Sequence, residues 1–511
     1  MKNNIKLSMI MYISLIIVIS LLGVFLISKA TFSLGIPDSK FDDENFYNCV
    51  KEAVGTSGYD SNGIIKESSL QSLKELHCSK KEISSVKGLE LMTNLTVLEL
   101  HENNISNIDL SSNTKLTLLN VANNKLSSID VSMLTDLTYL GTGNNNLSTI
   151  DITKNVKLTD FGAYNNNLTS IDLSKNTELK WVNISTNKLN NVNVSNNTKL
   201  TFLSICDNYL TSIDVSTNTK LTDLRLFSNK LTSIDVSKNT ELTYLNVGNN
   251  ENTTNNNYNQ LTSLDVSKNT KLETLYAQRN KLTSIDVSKN TGLKVLSVSK
   301  NQLSSIDVTK NTKLEELYVY DNNLTSIDVS KNTELKVLSV FKNQLSSIDV
   351  TKNTKLEELY VYDNNLTSID VTKNTKLKKL YVYNNNISNI DVTKNAELTI
   401  LNVNYNNLST IDLSKNTKLK EVYLIGNNFN SNICSTLNVE KCVNSTTYNN
   451  DNSSNNSSSS NNDNSGNNSS SNNDDHIINP QTGANIYIII ITIGLLSLGC
   501  LLWYLKRTIN K

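Results

Sequence analysis

Histidine, glycine and proline are all scarce in this chain, and the scarcity of each removes a class of function. The three histidines, His77, His101 and His476, do not recur, and none lies near a nucleophile motif. With 16 glycines and two prolines, the chain contains no HExxH, no GxSxG and no glycine loop that would cradle phosphate. We therefore expect no catalytic site, no metal site and no cofactor.

An excess of either charge is also missing. Lys plus Arg and Asp plus Glu number 48 each, so no net field draws the chain to nucleic acid or to anionic lipid. Paired carboxylates such as Glu315-Glu316 and Glu357-Glu358 recur by duplication on a strand, which favours solvated side chains over catalytic acids. The composition predicts a protein that is not an enzyme.

Cysteine is rare as well, with six residues in the chain. Cys78 occupies an inward-facing position, which predicts a buried thiol. Cys434 and Cys442 are close enough in sequence to close a small loop through a disulfide in an oxidising exterior. The alternative is that both remain reduced.

One 21-residue repeat, LxxLxVxxNxLxxIDVSKNTx, fills most of the chain. Its first leucine recurs every 21 residues from Leu95 to Leu242 and again from Leu272 to Leu419, with extra residues 251–259 between the two runs. A period of roughly 20 to 29 residues with an LxxLxLxxN core is typical of a leucine-rich-repeat solenoid. The sequence therefore predicts a leucine-rich-repeat solenoid.

Each repeat predicts one turn of that solenoid. In the repeat 221–241, the segment Asp223–Phe227 alternates polar and apolar residues, as a short strand with one buried face does. Leu221 and Val236 also turn inward, and because one turn cannot bury these residues alone, the turns must stack on a continuous core. The IDVSKNT half is too short and too polar for a helix, so we expect about sixteen turns with extended or tightly turned backs.

Asparagine and aspartate recur at fixed positions of the repeat. The amide of Asn229 and its equivalents can donate to and accept from backbone groups buried between turns, and Asn239 marks a second such series. Stacked aspartates such as Asp235 and Asp286 repel one another unless the amides of the following Ser and Lys bind them, as in an Asx turn, while lysines such as Lys238 screen them. A calcium ladder is the alternative, but the glycine-rich calcium-binding nonapeptide is absent.

The segment before the repeats has the pattern of a cap. Residues 41–54 begin with acids and carry apolar residues at helical spacing, which predicts a short helix covering the open end of the solenoid. An off-period turn at 73–93 follows, and its GLExxTNL pattern ends at Leu95. This order resembles the internalin-type surface proteins, and the period is similar to that of the internalin J branch. Over 41–428 the resemblance implies a right-handed solenoid with a small helical cap, whose parallel strands line a concave binding face.

Both ends of the chain carry export signals. Lys2 and Lys6 precede an apolar run at 7–27 and the sequence Ser28-Lys29-Ala30, which predicts a secretory signal peptide cleaved after Ala30. The alternative is an uncleaved anchor, since the run is long enough to span a bilayer. Near the other end lies the pentapeptide Asn479, Pro480, Gln481, Thr482, Gly483.

The pentapeptide, the apolar run at 486–505 and the basic tail together resemble a sortase sorting signal. In that family the transpeptidase cuts between the residues matching Thr482 and Gly483 and transfers the threonine carbonyl to a cell-wall amine. The resemblance implies sortase and peptidoglycan as partners, passage through the membrane by the C-terminal helix during export, and a place on the cell wall. Asn479 departs from the commoner leucine. The alternative is a single-pass plasma-membrane anchor with basic residues inside.

Five regions are therefore expected: a signal peptide at 1–30, a helical cap at 31–72, a solenoid at 73–433, a cap remnant and linker at 434–478, and the sorting signal at 479–511. The linker is mostly Asn, Ser, Asp and Thr, which cannot bury enough apolar surface to offset the entropy of ordering. We expect a disordered tether.

Aromatic residues concentrate at outward strand positions of the C-terminal half, where they should form two adjacent columns. Charge alternates beside them, as at Glu315, Lys336 and Glu357. A rigid aromatic surface with interspersed charge is typical of protein-binding sites and sugar platforms, although tyrosines that stack on one another as a stability ladder are the alternative. The candidate ligand-binding residues are Tyr276, Tyr318, Tyr320, Phe341, Tyr360, Tyr362, Tyr381 and Tyr383.

The sequence thus predicts a cell-wall-anchored surface protein that binds a host or neighbouring-cell protein or glycan through the concave face and so mediates adhesion. A passive wall spacer, or a membrane-anchored repeat protein without a specific ligand, is the alternative. Residues 293–334 and 335–376 differ only at Ser299/Phe341, Ser330/Thr372 and Glu334/Lys376, which recent tandem duplication explains without function. The alternative is that the two copies present one recognition pattern twice to a repetitive ligand.

Overall fold

The computed structural model of the protein describes residues 38–250 and 258–444. The predicted signal peptide, most of the predicted linker and the predicted sorting signal lie outside the described residues. Within the described ranges, no helix is both long enough and apolar enough to cross a membrane.

A single parallel sheet of eighteen short strands, in chain order, runs along the described part of the chain. Each strand pairs in register with the next, so that Leu317 lies opposite Leu338. The central residue of each regular strand enters the core while its neighbours face outward, as the two-residue period of a strand requires. The strands are β1 Glu75–His77, β2 Val97–Glu99, β3 Leu118–Asn120, β4 Tyr139–Gly141, β5 Asp160–Gly162, β6 Trp181–Asn183, β7 Phe202–Ser204, β8 Asp223–Arg225, β9 Tyr244–Asn246, β10 Thr274–Tyr276, β11 Val295–Ser297, β12 Glu316–Tyr318, β13 Val337–Ser339, β14 Glu358–Tyr360, β15 Lys379–Tyr381, β16 Ile400–Asn402, β17 Glu421–Tyr423 and β18 Lys441–Val443.

The predicted leucine-rich-repeat solenoid and its non-helical backs are confirmed. The IDVSKNT segments form turns and extended chain. The sheet has more strands than the sixteen expected turns, because the off-period segment at 73–93 contributes β1 and the segment after the last repeat contributes β18. Repeat leucines such as Leu314 and Leu335 are fully buried, which places one continuous core behind the sheet.

The N-terminal cap begins with helix α1, Glu44–Val54. The helix starts later than the predicted 41–54 because Asp43 is its N-cap and accepts a hydrogen bond from the Phe46 amide at 2.9 Å. Asp43 also accepts from the Ser84 amide at 2.8 Å, which joins the cap to the first turn. A second helix, α2 at Glu67–Ser72, is six residues long. Short 3₁₀ helices occur at Thr56–Gly58, Leu89–Leu91 and Ile433–Thr436.

The prediction of a buried Cys78 thiol is wrong, because Cys78 forms a disulfide with Cys49 of α1. Helix α1 packs against β1 and brings the two cysteines together, a contact that depends on how the cap docks on the solenoid. At the other end of the described chain, a disulfide joins Cys434, in the 3₁₀ helix Ile433–Thr436, to Cys442 in strand β18. Cys206 is a buried free thiol.

The first asparagine series forms a ladder between adjacent turns. Asn322 donates through Nδ2 to the carbonyl oxygens of Val298 and Val319 at 3.1 and 3.0 Å. Its Oδ1 accepts from the Leu303 amide at 3.0 Å. Because Asn322 is buried, these bonds satisfy backbone groups that water cannot reach. The predicted dual role of this amide as donor and acceptor is confirmed.

The second asparagine series acts differently. Asn332 donates through Nδ2 to the carbonyl oxygens of Val308 and Asn311, both at 2.9 Å, one turn earlier in the chain. Its buried Oδ1 has no hydrogen-bond partner among the described residues. This ladder therefore holds turns together through its donors.

The nine-residue insertion keeps the first ladder intact. Asn259 takes the ladder position, since its Oδ1 accepts from the Leu231 amide at 3.0 Å and its Nδ2 donates to the Leu226 carbonyl at 2.9 Å. Asn259 thus belongs to the repeat, and the extra residues precede it.

The aspartate series forms the predicted Asx turns. Asp328 accepts from the Ser330 amide at 2.8 Å. Hydrogen bonds from the Ser330 hydroxyl and amide, together with the nearby Lys331 charge, hold the pKa of Asp328 below its ordinary value. Asn193 replaces aspartate in one turn and accepts from the Ser195 amide at 3.0 Å. The turn therefore needs the oxygen acceptor, and the negative charge is dispensable.

Candidate ligand-binding face

Two aromatic columns run along the concave sheet face, as the repeat period predicts. The strand column consists of the last residues of β10, β12, β14 and β15: Tyr276, Tyr318, Tyr360 and Tyr381. The post-strand column lies two residues further along each turn: Tyr320, Phe341, Tyr362 and Tyr383. Together the two columns contain all eight candidate residues.

The post-strand column is a continuous stack of rings. Centroids of successive rings from Tyr320 to Tyr383 are 4.2, 4.1 and 4.2 Å apart, with ring planes within 12° of parallel. Phe341 and Tyr362 are each only 5% exposed. Since their faces are covered by neighbouring rings, a ligand can reach this column mainly at ring edges and at the exposed ends.

The strand column is more open. Register places Ser297 between Tyr276 and Tyr318, and Ser339 between Tyr318 and Tyr360. The tyrosines are partly exposed, whereas the two serines are buried. At the C-terminal end, Tyr360 stacks on Tyr381 with centroids 5.1 Å apart. The strand column therefore presents separated ridges over a floor of small residues.

Glutamates orient Tyr318 and Tyr360 of the strand column. The Tyr318 hydroxyl donates to Glu316 at 2.9 Å, and the Tyr360 hydroxyl donates to Glu358 at 2.6 Å. Burial and the adjacent carboxylate raise the pKa of Tyr318 and of Tyr360. Both hydroxyls therefore stay protonated and act as fixed donors across the physiological range.

The charges that alternate beside the columns pair with one another across neighbouring turns. Lys336 contacts Glu315 at 2.6 Å, and Lys378 contacts Glu357 at 2.6 Å. The Lys336 hydrogen bond is the main reason that the pKa of Glu315 lies below its ordinary value. Because these side chains are about half exposed, each pair stabilises the fold only weakly and remains accessible to a ligand.

A second aromatic cluster lies nearer the N-terminus of the same face. Trp181 stacks on Phe202 with centroids 5.1 Å apart, and the Arg225 guanidinium lies 5.2 Å from the Phe202 ring and 4.6 Å from the Tyr244 ring. Asp223 holds Arg225 through two bonds of 2.8 Å. The sequence analysis missed Arg225, whose signal is an arginine at a strand position between the neutral Ser204 and Asn246 of the neighbouring strands.

The parallel solenoid and its patterned outer sheet face define a leucine-rich-repeat protein. Residues 354–394 match the family model described as Leucine Rich repeats (2 copies). Among curated proteins the chain has no match. The solved functional domain of InlJ from Listeria monocytogenes is 33% identical, with 74% of this chain and 78% of that chain covered and a TM-score of 0.60. The chain belongs to the internalin family.

Other solved structures share the fold. A leucine-rich-repeat protein of Leptospira interrogans is 22% identical, with 74% of this chain and 97% of that chain covered and a TM-score of 0.59. The ectodomain of the receptor kinase GASSHO1/SCHENGEN3 from Arabidopsis thaliana, solved in complex with CASPARIAN STRIP INTEGRITY FACTOR 2, is 22% identical, with 73% and 53% covered and a TM-score of 0.55. The InlJ domain includes a cysteine ladder. In the present chain no two cysteines lie 21 residues apart, and both ladders are built from asparagine.

Proposed function

We propose that this protein is a cell-wall-anchored surface protein whose concave sheet face binds a partner protein and so mediates adhesion. The observation that carries the proposal is the strand column, in which partly exposed tyrosines from Tyr276 to Tyr360 alternate with buried serines. Glutamates fix Tyr318 and Tyr360. Rigid tyrosines beside accessible charges are common at protein-binding hot spots. Membership of the internalin family and the ligand-bound state of the similar plant ectodomain support a protein ligand.

Anchorage is the second part of the proposal. The pentapeptide Asn479 to Gly483, the apolar run at 486–505 and the basic tail are the features that support it. Replacing Thr482 and Gly483 with alanine should move the protein from the wall fraction released by muralytic enzymes to the membrane or medium. If the wall fraction is unchanged, anchorage through Thr482 is wrong.

Adhesion is tested with variants that the repeat itself already tolerates. Ser297 and Ser339 occupy the same strand position as Tyr318 and Tyr360, so the double variant Tyr318→Ser, Tyr360→Ser should fold normally. Cells that display this variant should lose attachment to target cells, whereas cells that display Tyr405→Ser should keep it. Tyr405 is a suitable control because it is 51% exposed and belongs to neither column. Unchanged attachment of the double variant would reject the binding proposal.

A passive spacer is the competing function, and the post-strand column favours it. Phe341 and Tyr362 are 5% exposed and stack closely, as expected for a ladder that stabilises the fold. If the protein is a spacer, every substitution in the strand column or the post-strand column should change the melting temperature without changing cell attachment.

A further inference from the structure

We propose that the strand column binds a polyproline-II segment of the partner that carries a basic residue at every third position. This inference rests on the proposed function and names the ligand class for the same face. It is carried by the spacing of the tyrosines, by the serine-floored grooves between them and by the carboxylates beside them.

From β10 to β14 the tyrosines of the strand column recur at every second turn. Tyr276, Tyr318 and Tyr360 alternate with Ser297 and Ser339 in strict register. Neighbouring strands of a sheet lie about 4.8 Å apart, so the backbone positions of successive tyrosines lie about 9.6 Å apart along the solenoid. The 42-residue duplication, 293–334 and 335–376, repeats this arrangement.

Two grooves lie between these tyrosines. Tyr276 and Tyr318 border the first groove, whose floor is Ser297, and Tyr318 and Tyr360 border the second, whose floor is Ser339. The two serines are 6% and 3% exposed and the tyrosines are partly exposed, so the serines form the floors and the tyrosine rings form the ridges. Grooves lined by aromatic rings are the kind of surface on which proline-rich segments dock.

The interval between the grooves selects the backbone conformation of the ligand. A polyproline-II helix has three residues per turn and a rise of about 3.1 Å, so residues on one side recur about every 9.3 Å. In an extended β-strand, residues on one side recur about every 6.6 Å, which does not match a two-turn interval. A polyproline-II segment that lies along the solenoid, across the strands, therefore sets one residue of each triplet into each groove.

The charges beside the grooves select the second residue of each triplet. Glu316 and Glu358 recur at the same two-turn interval, and Val337 takes the intermediate position in the register. Tyrosine hydroxyls hold both carboxylates at 2.9 and 2.6 Å, and a carboxylate accepts further hydrogen bonds from a cation. Lys379 contacts Glu358 at 2.9 Å and closes the C-terminal end of this row. Lysine or arginine at every third position of the ligand would meet these carboxylates.

The test uses the purified full-length protein in detergent and a fluorescent peptide of repeated Lys-Pro-Pro triplets long enough to span both grooves. The triplet peptide should bind, and a peptide of the same composition in shuffled order should bind at least about tenfold more weakly. Tyr318→Ser with Tyr360→Ser, and separately Glu316→Gln with Glu358→Gln, should each weaken triplet binding at least about tenfold, whereas Tyr405→Ser should not. The glutamine variant should also lose the salt dependence of binding.

Equal binding of the triplet and shuffled peptides, no binding of the triplet peptide, or undiminished binding by the tyrosine variant would overturn the inference. Circular dichroism and the melting temperature confirm that each variant is folded. Cell attachment separates this inference from the proposed function. If attachment is lost in the tyrosine variant while the triplet peptide does not bind, only the ligand class is wrong. If attachment persists in that variant, the proposed function itself fails.

Discussion

Phe341 lies face to face on Tyr362, with ring centroids 4.1 Å apart and ring planes 12° from parallel. The same position of the preceding duplicate is Ser299, which is buried and has a hydroxyl without a hydrogen-bond partner among the described residues. Both tandem copies contribute a tyrosine to the aromatic stack, but only the second copy carries a ring at this position. This difference allows the structural role of the stack to be measured apart from ligand binding.

The substitution Phe341→Ser should fold but lose stability, because it removes a buried ring from between two others. We expect a loss of about 3 kcal/mol in the free energy of unfolding, measured by urea denaturation. The reverse change at the equivalent position, Ser299→Phe, should extend the stack onto Tyr320 and stabilise the protein by about 1 kcal/mol. If both variants unfold at the wild-type urea concentration, the stack contributes nothing to stability.

The first asparagine ladder should tolerate substitution poorly. Asn322→Ala leaves the Leu303 amide and the Val298 carbonyl buried without their side-chain partner, at a cost of about 3 kcal/mol. The adjacent Asn323 is exposed, so Asn323→Ala is a matched control and should change stability by less than about 0.5 kcal/mol. Equal melting temperatures for the two variants would contradict the ladder.

The aspartate series should make stability depend on acid pH. The Thr309 hydroxyl and amide hold the pKa of Asp307 below its ordinary value, and Thr351 does the same for Asp349. A carboxyl whose pKa is lower in the folded state stabilises the fold above its unfolded pKa, and this stability is lost as pH falls through the folded value. The melting temperature should therefore fall as the pH drops below about 4.

Asparagine variants test the origin of that dependence. Because Asn193 already fills the turn in one repeat, replacing Asp307, Asp328 and Asp349 with asparagine should preserve the fold. The melting temperature of this variant should fall less steeply between pH 5 and pH 2. A slope equal to that of the wild type would assign the acid sensitivity to other groups.

The two disulfides should differ in their effect on stability. Cys49 and Cys78 are 29 residues apart, whereas Cys434 and Cys442 are 8 apart. A longer loop loses more entropy on closure, so the double serine variant of the first pair should lose about 3 kcal/mol, and that of the second pair about 1 kcal/mol less. Limited proteolysis should also release the cap only in the first variant. If the protease releases the cap from the wild type as fast as from the first variant, the Cys49–Cys78 disulfide does not hold the cap.

The repeat period explains why most of the fold was predictable. Leucines at 21-residue steps must face one core, and the strands and asparagine ladders follow from local hydrogen-bonding needs. The left-handed residue after most strands was missed, although polar residues such as Asn144 and Asp321, with φ of 53° and 56°, are a signal for it. The Cys49–Cys78 disulfide was also missed, since no local pattern fixes how a terminal cap docks.

The candidate site was predictable in position but not in detail. Register alone places Tyr318 and Tyr360 in one column. Sequence gives no measure of ring tilt, so it did not distinguish the buried Phe341 and Tyr362 from the partly exposed strand column. The Lys336–Glu315 ion pair was also not predictable, because it depends on the rotamers that the two side chains adopt across neighbouring turns.

The location of the bound partner tests the account most directly. A photo-crosslinking side chain placed at Tyr360 faces out from the sheet, and one placed at Lys373 in the same repeat lies in an exposed turn outside the sheet. On cells that display the protein, illumination during attachment should give covalent adducts with target-cell protein from position 360 and none above background from position 373. Adducts from position 373 alone, or equal adducts from both positions, would contradict a binding role for the concave sheet face.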